Sequence, residues 1–211
     1  MENFDELAFN WDNEPKRIER ARIVTDEIIA AIPGLDKMNA MEYGCGTGVL
    51  SFCLQPYLKH ITLGDNSQGM LDVLVGKIKN AGVKNMAPML LDLTEGEFKD
   101  LKFDMIYSLM ALHHILDTDR IIDSFSKILN PGGTLCIADL DEEDGTFHDK
   151  GFNGHNGFNR YELTDKMIQY GFENIRWKIC YNNTKMLENG LEKQYPMFLM
   201  IGEKKGETTE D

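Results

Sequence analysis

The sequence predicts an α/β fold in which a mainly parallel sheet is covered by helices on both faces. Three observations predict it. Short apolar runs alternate with amphipathic helical stretches, a glycine cluster directly follows the first run, and acidic residues close the first three runs or stand beside their ends. Crossovers of this kind are right-handed, which leaves few topologies.

Each element has its own signal. Residues 15–32 read as a helix: Pro15 suits a first turn, Ile18, Ala21, Thr25, Ile28 and Ile32 fall on one face, and Pro33-Gly34 stops it. Residues 38–43 form a first strand, and a helix over 48–56 follows the glycine cluster. Residues 60–65 form a second strand. Leu71, Leu74, Val75 and Ile78 recur at helical spacing and mark a helix ending near Gly82. Strands follow at 86–91 and 103–109. Ile121, Phe125, Ile128 and Leu129 mark another helix, closed by Asn130-Pro131-Gly132-Gly133 before a fifth strand at 135–138. Residues 141–159 are polar, rich in Gly, Asn and His, and without periodicity; they predict a long loop of the kind that is usually functional or disordered. A helix near 161–171 and strands near 174–181 and 196–203 complete the pattern, and the last eight residues are expected to fray.

The 211 residues suffice for one domain with a sizeable core and fall short of two, so 1–211 is read as a single domain. Apolar residues make up 42% and charged residues 27%, as in soluble globular chains. No apolar run approaches a membrane span, and the acidic start lacks a signal-peptide core, so a cytoplasmic protein is expected. With 22 basic against 35 acidic residues the formal charge is −13, and the cations are scattered. That balance repels phosphate backbones and disfavours nucleic acid as substrate. Cys45, Cys53, Cys136 and Cys180 show no paired spacing, which argues for reduced thiols rather than disulfides or structural zinc.

The chemistry centres on residues 42–48, Glu-Tyr-Gly-Cys-Gly-Thr-Gly, between a strand and a helix. Glycines there allow a tight turn and let a ligand approach the backbone. Their spacing is G-x-G-x-G, with Val49 where a dinucleotide fingerprint has its third glycine. Glu42 would repel a pyrophosphate and attract an ammonium or sulfonium. Asp65 ends the second strand, where a carboxylate can accept hydrogen bonds from both ribose hydroxyls, and Asp92 after the third offers an acceptor for an adenine amino group. Cys45 sits inside the turn as a small filler; no basic neighbour activates it as a nucleophile.

Glu42 through Gly48, His60 through Asp65, Leu91-Asp92-Leu93, Phe103 through Ser108, Ala111 through Ile115 and Leu129 through Gly133 together resemble the class I S-adenosylmethionine-dependent methyltransferases. The broad group is the one that includes ubiquinone/menaquinone-biosynthesis-type enzymes. The resemblance covers roughly residues 38–140. It implies a Rossmann-like seven-stranded sheet with an antiparallel last strand, and S-adenosyl-L-methionine as cofactor. It also implies roles: Gly44, Gly46 and Gly48, with Cys45 between them, along the methionine moiety; Glu42 near its amino group; Asp65 on the ribose. Asn66 and Met70 would flank the adenine, Asp92 and the Leu93 backbone would meet its edge, and Ser108 would lie beside the methionine part. Residues 1–34 resemble a lid in which Trp11 covers the cofactor or packs the lid on the core, and Arg17 or Arg20 pairs with the cofactor carboxylate. Gly64, where a bulkier residue is usual, is expected to loosen the ribose pocket slightly.

Methyl transfer from a sulfonium needs mainly proximity and alignment. A base is needed only where the acceptor must lose a proton. His113 and His114 after the fourth strand, and His148 in the active-site loop 141–159, are the catalytic candidates, with His114 or His148 as base; the plainer reading of His113-His114 is a helix-start pair. A cation held by His148, His155 and Glu142, Glu143 or Asp144 is a competing reading of the loop, but on balance the sequence assigns no metal. The expected partner is a small-molecule methyl acceptor of unspecified chemistry. Alternatives are a non-catalytic S-adenosylmethionine-binding protein and, against Glu42 and the glycine spacing, an NAD-dependent oxidoreductase.

Overall fold

The computed structural model describes residues 3–96, 98–187 and 189–206. Its sheet is built from β1 (Asn39–Tyr43), β2 (His60–Asp65), β3 (Met86–Leu90), β4 (Phe103–Leu109), β5 (Leu129–Leu140), β6 (Phe172–Met186) and β7 (Glu192–Lys204). The helices are α1 (Phe4–Leu7), α2 (Pro15–Ala31), α3 (Val49–Leu54), α4 (Gln68–Ala81), α5 (Thr118–Ile128) and α6 (Arg160–Gln169). The strands lie in the order β3-β2-β1-β4-β5-β7-β6, with β7 antiparallel to both neighbours and the other pairings parallel. This is the seven-stranded Rossmann-like sheet that the sequence suggests. No helix among the described residues is long and apolar enough to cross a membrane.

Alternation along each strand divides the core in two, because successive side chains point to opposite faces. Ala40, Met105, Tyr107, Cys136, Ala138 and Leu199 face α2, α3 and α4, where Ala21, Val24, Ile28, Leu50, Leu54 and Leu74 are buried. Met41, Ile106, Leu135, Ile137, Phe198 and Met200 face α5 and α6, packing on Ile121, Phe125, Ile128, Leu163 and Met167. Strand order reverses at β1 and β4: β2 and β3 extend the sheet one way, β5 the other. Ligands of open α/β sheets bind outside the carboxyl ends of strands at such a switch point.

The structure departs from the sequence pattern in four places. Residues 130–133 do not end α5 in a separate loop. They bulge within β5, which pairs Leu129 with Phe103 and resumes at Thr134 with Met105. β6 and β7 run well past the strands expected at 174–181 and 196–203, and pair out to Met186 and Glu192. The polar start carries α1 and a 3₁₀ stretch, Ala8–Asn13. Gly64 loosens nothing, because the Met41 methyl lies 2.8 Å from where its Cβ would stand and fills the space. The expected fraying concerns 204–211, of which 207–211 lie outside the described residues, while Lys204 ends β7.

Phe125 anchors the α5 face: it is fully buried and meets Tyr43 edge-on at 5.4 Å. Phe125→Ala is expected to cost about 3–5 kcal/mol, read as a lowered urea midpoint with an unchanged slope.

Candidate functional site

A cavity of about 590 Å³ opens at the switch point, lined by the ends of β1 and β2, the segment after β4, the N-terminal segment and the 141–159 loop. Its floor is the turn after β1. Gly44, Gly46 and Gly48 have φ of +68°, +51° and +77°, a left-handed backbone that favours glycine. A Cβ on Gly44 would stand 2.4 Å from that of Ala111, and one on Gly48 2.6 Å from Leu74. Asp65 reads this turn directly: its Oδ2 accepts the Gly46 N–H at 2.7 Å, and its Oδ1 that of Ser67 at 2.9 Å. Burial raises the Asp65 carboxyl, and the backbone amides offset part of that.

Glu42 points from β1 toward α3 and is buried. It accepts hydrogen bonds from the Ser51 N–H at 3.1 Å and the Ser51 hydroxyl, which in turn meets the Tyr107 hydroxyl at 2.6 Å. Burial pushes its carboxyl up to about 8, although the Ser51 hydrogen bonds pull the other way. Near neutrality it is therefore mostly protonated, where the sequence reading made it an anion. The stability it contributes is present below its ordinary value and lost as pH rises through about 8. Cys45 behaves as the filler expected, its thiol raised by burial.

The N-terminal segment is pinned at two points. Asp5 accepts from the Ser67 hydroxyl at 2.6 Å and the Gly69 N–H at 2.8 Å, at the start of α4. There a carboxylate also suits the helix dipole, and these donors hold it below its ordinary range. Asp12 accepts from Thr47 at 2.5 Å and pairs with Lys77. Trp11 is thereby laid over the turn, its Nε1 3.7 Å from where a Gly46 Cβ would be, with the Arg17 guanidinium 3.4 Å above its ring. Arg20 lines the cavity; its Nη1 donates to Asn183 at 2.7 Å while its buried Nε has no partner.

The opposite wall carries the histidines. His113 is buried, and its Nδ1 lies 2.6 Å from the buried Asp139 carboxylate. Burial would raise Asp139, but His113 beside it outweighs that and holds it low. Burial, then the neighbouring histidines, push His114 down to about 3. Burial, then His113, push His148 down to about 4. The rings of His114 and His148 are neutral at physiological pH. Phe152 stacks on His148 at 3.7 Å.

The 141–159 loop is held by the extended hairpin: Lys185 donates to Phe147 O at 2.8 Å, Thr146 meets the Tyr195 hydroxyl at 2.6 Å, and Lys193 pairs with Asp144 at 2.5 Å. It also packs on the segment after β4, where the His155 N–H donates to His113 O at 2.8 Å.

Of the residues read from the sequence, Trp11, Glu42, Gly44, Cys45, Asp65, Asn66, Met70, His114 and His148 line the cavity together. Gly46 and Gly48 shape its floor from behind. Asp92, Leu93, Ser108 and His113 are placed outside the lining. Asp92 Oδ1 accepts from the N–H and hydroxyl of Thr94, as a turn cap. The Leu93 N–H donates to the Tyr43 hydroxyl at 3.1 Å. Ser108 follows the strand alternation to the α5 side. The loop set suggested for a metal does not assemble: Glu143 accepts from three backbone amides, Asp144 binds Lys193, Glu142 accepts from Asn159, and the His155 ring donates to Ile115 O. Missed were Phe4, Arg20's link to the hairpin, Phe152 and Met110. Met110, a non-glycine at φ +53°, turns the chain out of β4 into the cavity. No local motif announces it.

Comparisons with known proteins follow the same outline. A family model described as a methyltransferase domain matches residues 35–198. An uncharacterized methyltransferase of Schizosaccharomyces pombe is 35% identical over 158 residues, 70% of this chain and 56% of its own length. The demethylmenaquinone methyltransferase of Clavibacter sepedonicus is 27% identical over 142 residues, 65% of this chain and 56% of its own. The chain thus spans little more than half the length of these relatives. The Haemonchus contortus phosphoethanolamine N-methyltransferase 2, solved in complex with S-adenosyl-L-methionine, shares the fold: TM-score 0.67 and 16% identity over 97% of this chain and 60% of that one.

The pinning of the N-terminal segment is testable at Gly69, where a Cβ would stand 2.7 Å from Asp5 Cα and 2.9 Å from its carbonyl oxygen. Gly69→Val is expected to lift the segment before Pro15, giving faster proteolysis there and a red-shifted Trp11 emission, while the thermal midpoint of the sheet barely moves. Unaltered cleavage would show that the segment is not held at α4.

Proposed function

The chain belongs to the methyltransferase-domain family, and on that premise we propose that it is an S-adenosylmethionine-dependent methyltransferase acting on a small-molecule acceptor. The single observation that carries this reading is the meeting, in one cavity, of the left-handed glycine turn, two carboxyl groups at the ends of β1 and β2, and a facing wall of neutral histidines, His114 and His148. A cavity of about 590 Å³ lies within the range of small-molecule and cofactor sites, roughly 300–1,000 Å³.

The residues present fit the cofactor. Each Asp65 oxygen accepts one backbone amide and keeps acceptor capacity for a ribose diol. The unpartnered Arg20 Nε, buried at the cavity wall, suits a carboxylate, and Trp11 with Arg17 covers the turn. Asn66 and Met70 stand beside Asp65 for the adenine. Bound there, S-adenosylmethionine supplies an electrophilic methyl group on a cationic sulfur. The chain's own part is to orient the two reactants and exclude water. His114 and His148 offer neutral ring nitrogens that accept a hydrogen bond from the acceptor's O–H or N–H, or take its proton. Their low proton affinity makes them weak bases, so positioning dominates.

The finer reading places the chain in the ubiquinone/menaquinone-type group, supported by the likeness to the Clavibacter enzyme. It takes residues 1–34 as the lid and 141–159 as the active-site loop of one domain. The scattered cations and net charge of −13 support a small molecule over nucleic acid, and four free cysteines support a reducing cytoplasm.

Two measurements test this. Labelled cofactor assayed over a metabolite panel should yield a methylated product; on that substrate His114→Ala and His148→Ala should each lower turnover about tenfold or more, short of the roughly 10²–10⁴-fold effect of a well-matched base, with S-adenosylhomocysteine affinity intact. Binding should also depend on pH. A ligand ammonium favours ionised Glu42, so below about pH 8 binding releases a proton there and affinity climbs with pH, levelling above it. The ratio of wild-type to Glu42→Gln affinity, by calorimetry from pH 6 to 9 (roughly one unit either side of neutrality and beyond the Glu42 midpoint), should show that rise; a flat ratio removes the carboxyl from the cofactor site.

A further inference from the structure

We propose that His113, His114 and His148 form a binding site for a zinc-like divalent cation on the acceptor side of the cavity, with Asp139 behind them as the carboxylate that orients His113. One potential ligand atom from each ring lies within 4.8 Å of the other two, and ring centroids are 4.2, 5.0 and 5.4 Å apart.

The hydrogen bonds say which atoms are offered. Asp139 Oδ1 lies 2.6 Å from His113 Nδ1, and Oδ2 accepts the His113 N–H at 3.2 Å. With Nδ1 turned to Asp139, Nε2 is the ring nitrogen left to face a ligand. That Nε2 is buried and has no hydrogen-bond partner, and the same holds for His148 Nε2. Leaving a buried polar atom unsatisfied costs stability, and two such imidazole nitrogens sit on adjacent rings. A cation between them would satisfy both. Carboxylate behind histidine, with the far nitrogen presented forward, is how metal-binding histidines are oriented. Three imidazoles with no cysteine or inner carboxylate suit zinc in an open site, where three protein ligands leave a fourth position free.

The fit requires modest closure. Nitrogens at the usual zinc distance of about 2.0–2.1 Å stand about 3.3–3.4 Å apart on a tetrahedron, so the widest pair must draw in by no more than about 1.5 Å. His114 ends the 3₁₀ turn Leu112–His114 and His148 lies in the loop, so rotation of these two rings can supply it while His113 stays fixed by Asp139. Phe152, stacked on His148, covers one face of that ring. His114 and His148 line the cavity whereas His113 does not, so the position left open faces the cavity. Acceptors that present a coordinating sulfur or oxygen beside the methylated atom are the class such a site would draw in. This last step rests on the methyltransferase reading; the cation site itself does not.

The full chain, stripped with chelator, is titrated with zinc chloride by calorimetry, and retained metal is measured by elemental analysis after gel filtration. One zinc per chain is expected. His148→Ala or His114→Ala should weaken it at least tenfold, and Asp139→Asn by about 10–100-fold, while S-adenosylhomocysteine binds each variant as it binds the wild type. Because Asp139 is wholly buried, the loop variant His148→Ala decides the outcome if Asp139→Asn misfolds. Absence of zinc binding, or zinc binding indifferent to His148 and His114, overturns the site, and retained S-adenosylhomocysteine binding in that case leaves the methyltransferase reading standing. Histidine-dependent zinc binding without any S-adenosylhomocysteine binding upholds the site and removes that reading instead.

Discussion

The architecture of the cavity depends on a turn that must be traced in left-handed backbone. Gly44, Gly46 and Gly48 let β1 fold back on itself tightly enough for Ala111 to rest on Gly44 and Leu74 on Gly48, at separations a side chain would forbid. The same turn hands the Gly46 amide to Asp65. One loop therefore locks together the carboxyl ends of β1 and β2, the exit from β4 and the flank of α4. The reversal of strand order opens a crevice, and the turn gives it a floor.

Electrostatics then separates the cavity from the rest of the molecule. The chain carries a formal charge of −13, yet burial keeps Glu42 largely protonated and His114 and His148 neutral. Desolvation sets all three in the same direction, toward the uncharged form. Arg17 and Arg20 and the Asp65 carboxyl supply the remaining polarity. A wall of this kind suits a ligand bearing an ammonium and a carboxylate at once, since each finds a partner without a strong opposing field.

Strands, helices and the glycine turn were legible because each leaves a local trace: period-two or period-3.6 apolar residues, a proline at a helix start, glycines at a switch in periodicity. Asp65 followed from its place at the end of β2, and Asn66 and Met70 from the family resemblance. What stayed hidden depends on distant partners. Asp92 looks like a ligand in sequence; that one of its oxygens also caps Thr94 two residues on shows only in the fold. Residues 182–186 look like loop because Asn182, Asn183 and Thr184 are polar, yet they continue β6 by pairing with β7. The histidine cluster joins residues 34 positions apart through an inter-loop hydrogen bond, His155 N–H to His113 O, that no spacing rule anticipates.

The extended β6–β7 hairpin has a consequence for how such a protein diversifies. Arg20 and Lys16 reach it from α2, and Lys185, Lys193 and Tyr195 suspend the histidine-bearing loop from it. Floor and roof of the cavity thus come largely from consecutive stretches of chain: the side chains nearest Gly44, Gly46 and Gly48 all precede Leu140, and the loop bearing His148 with its supporting ribbon follows it. Exchange of the later stretch between related genes would transplant a new roof onto an inherited floor. Such a division lets selection explore new cargo while the donor end is left undisturbed.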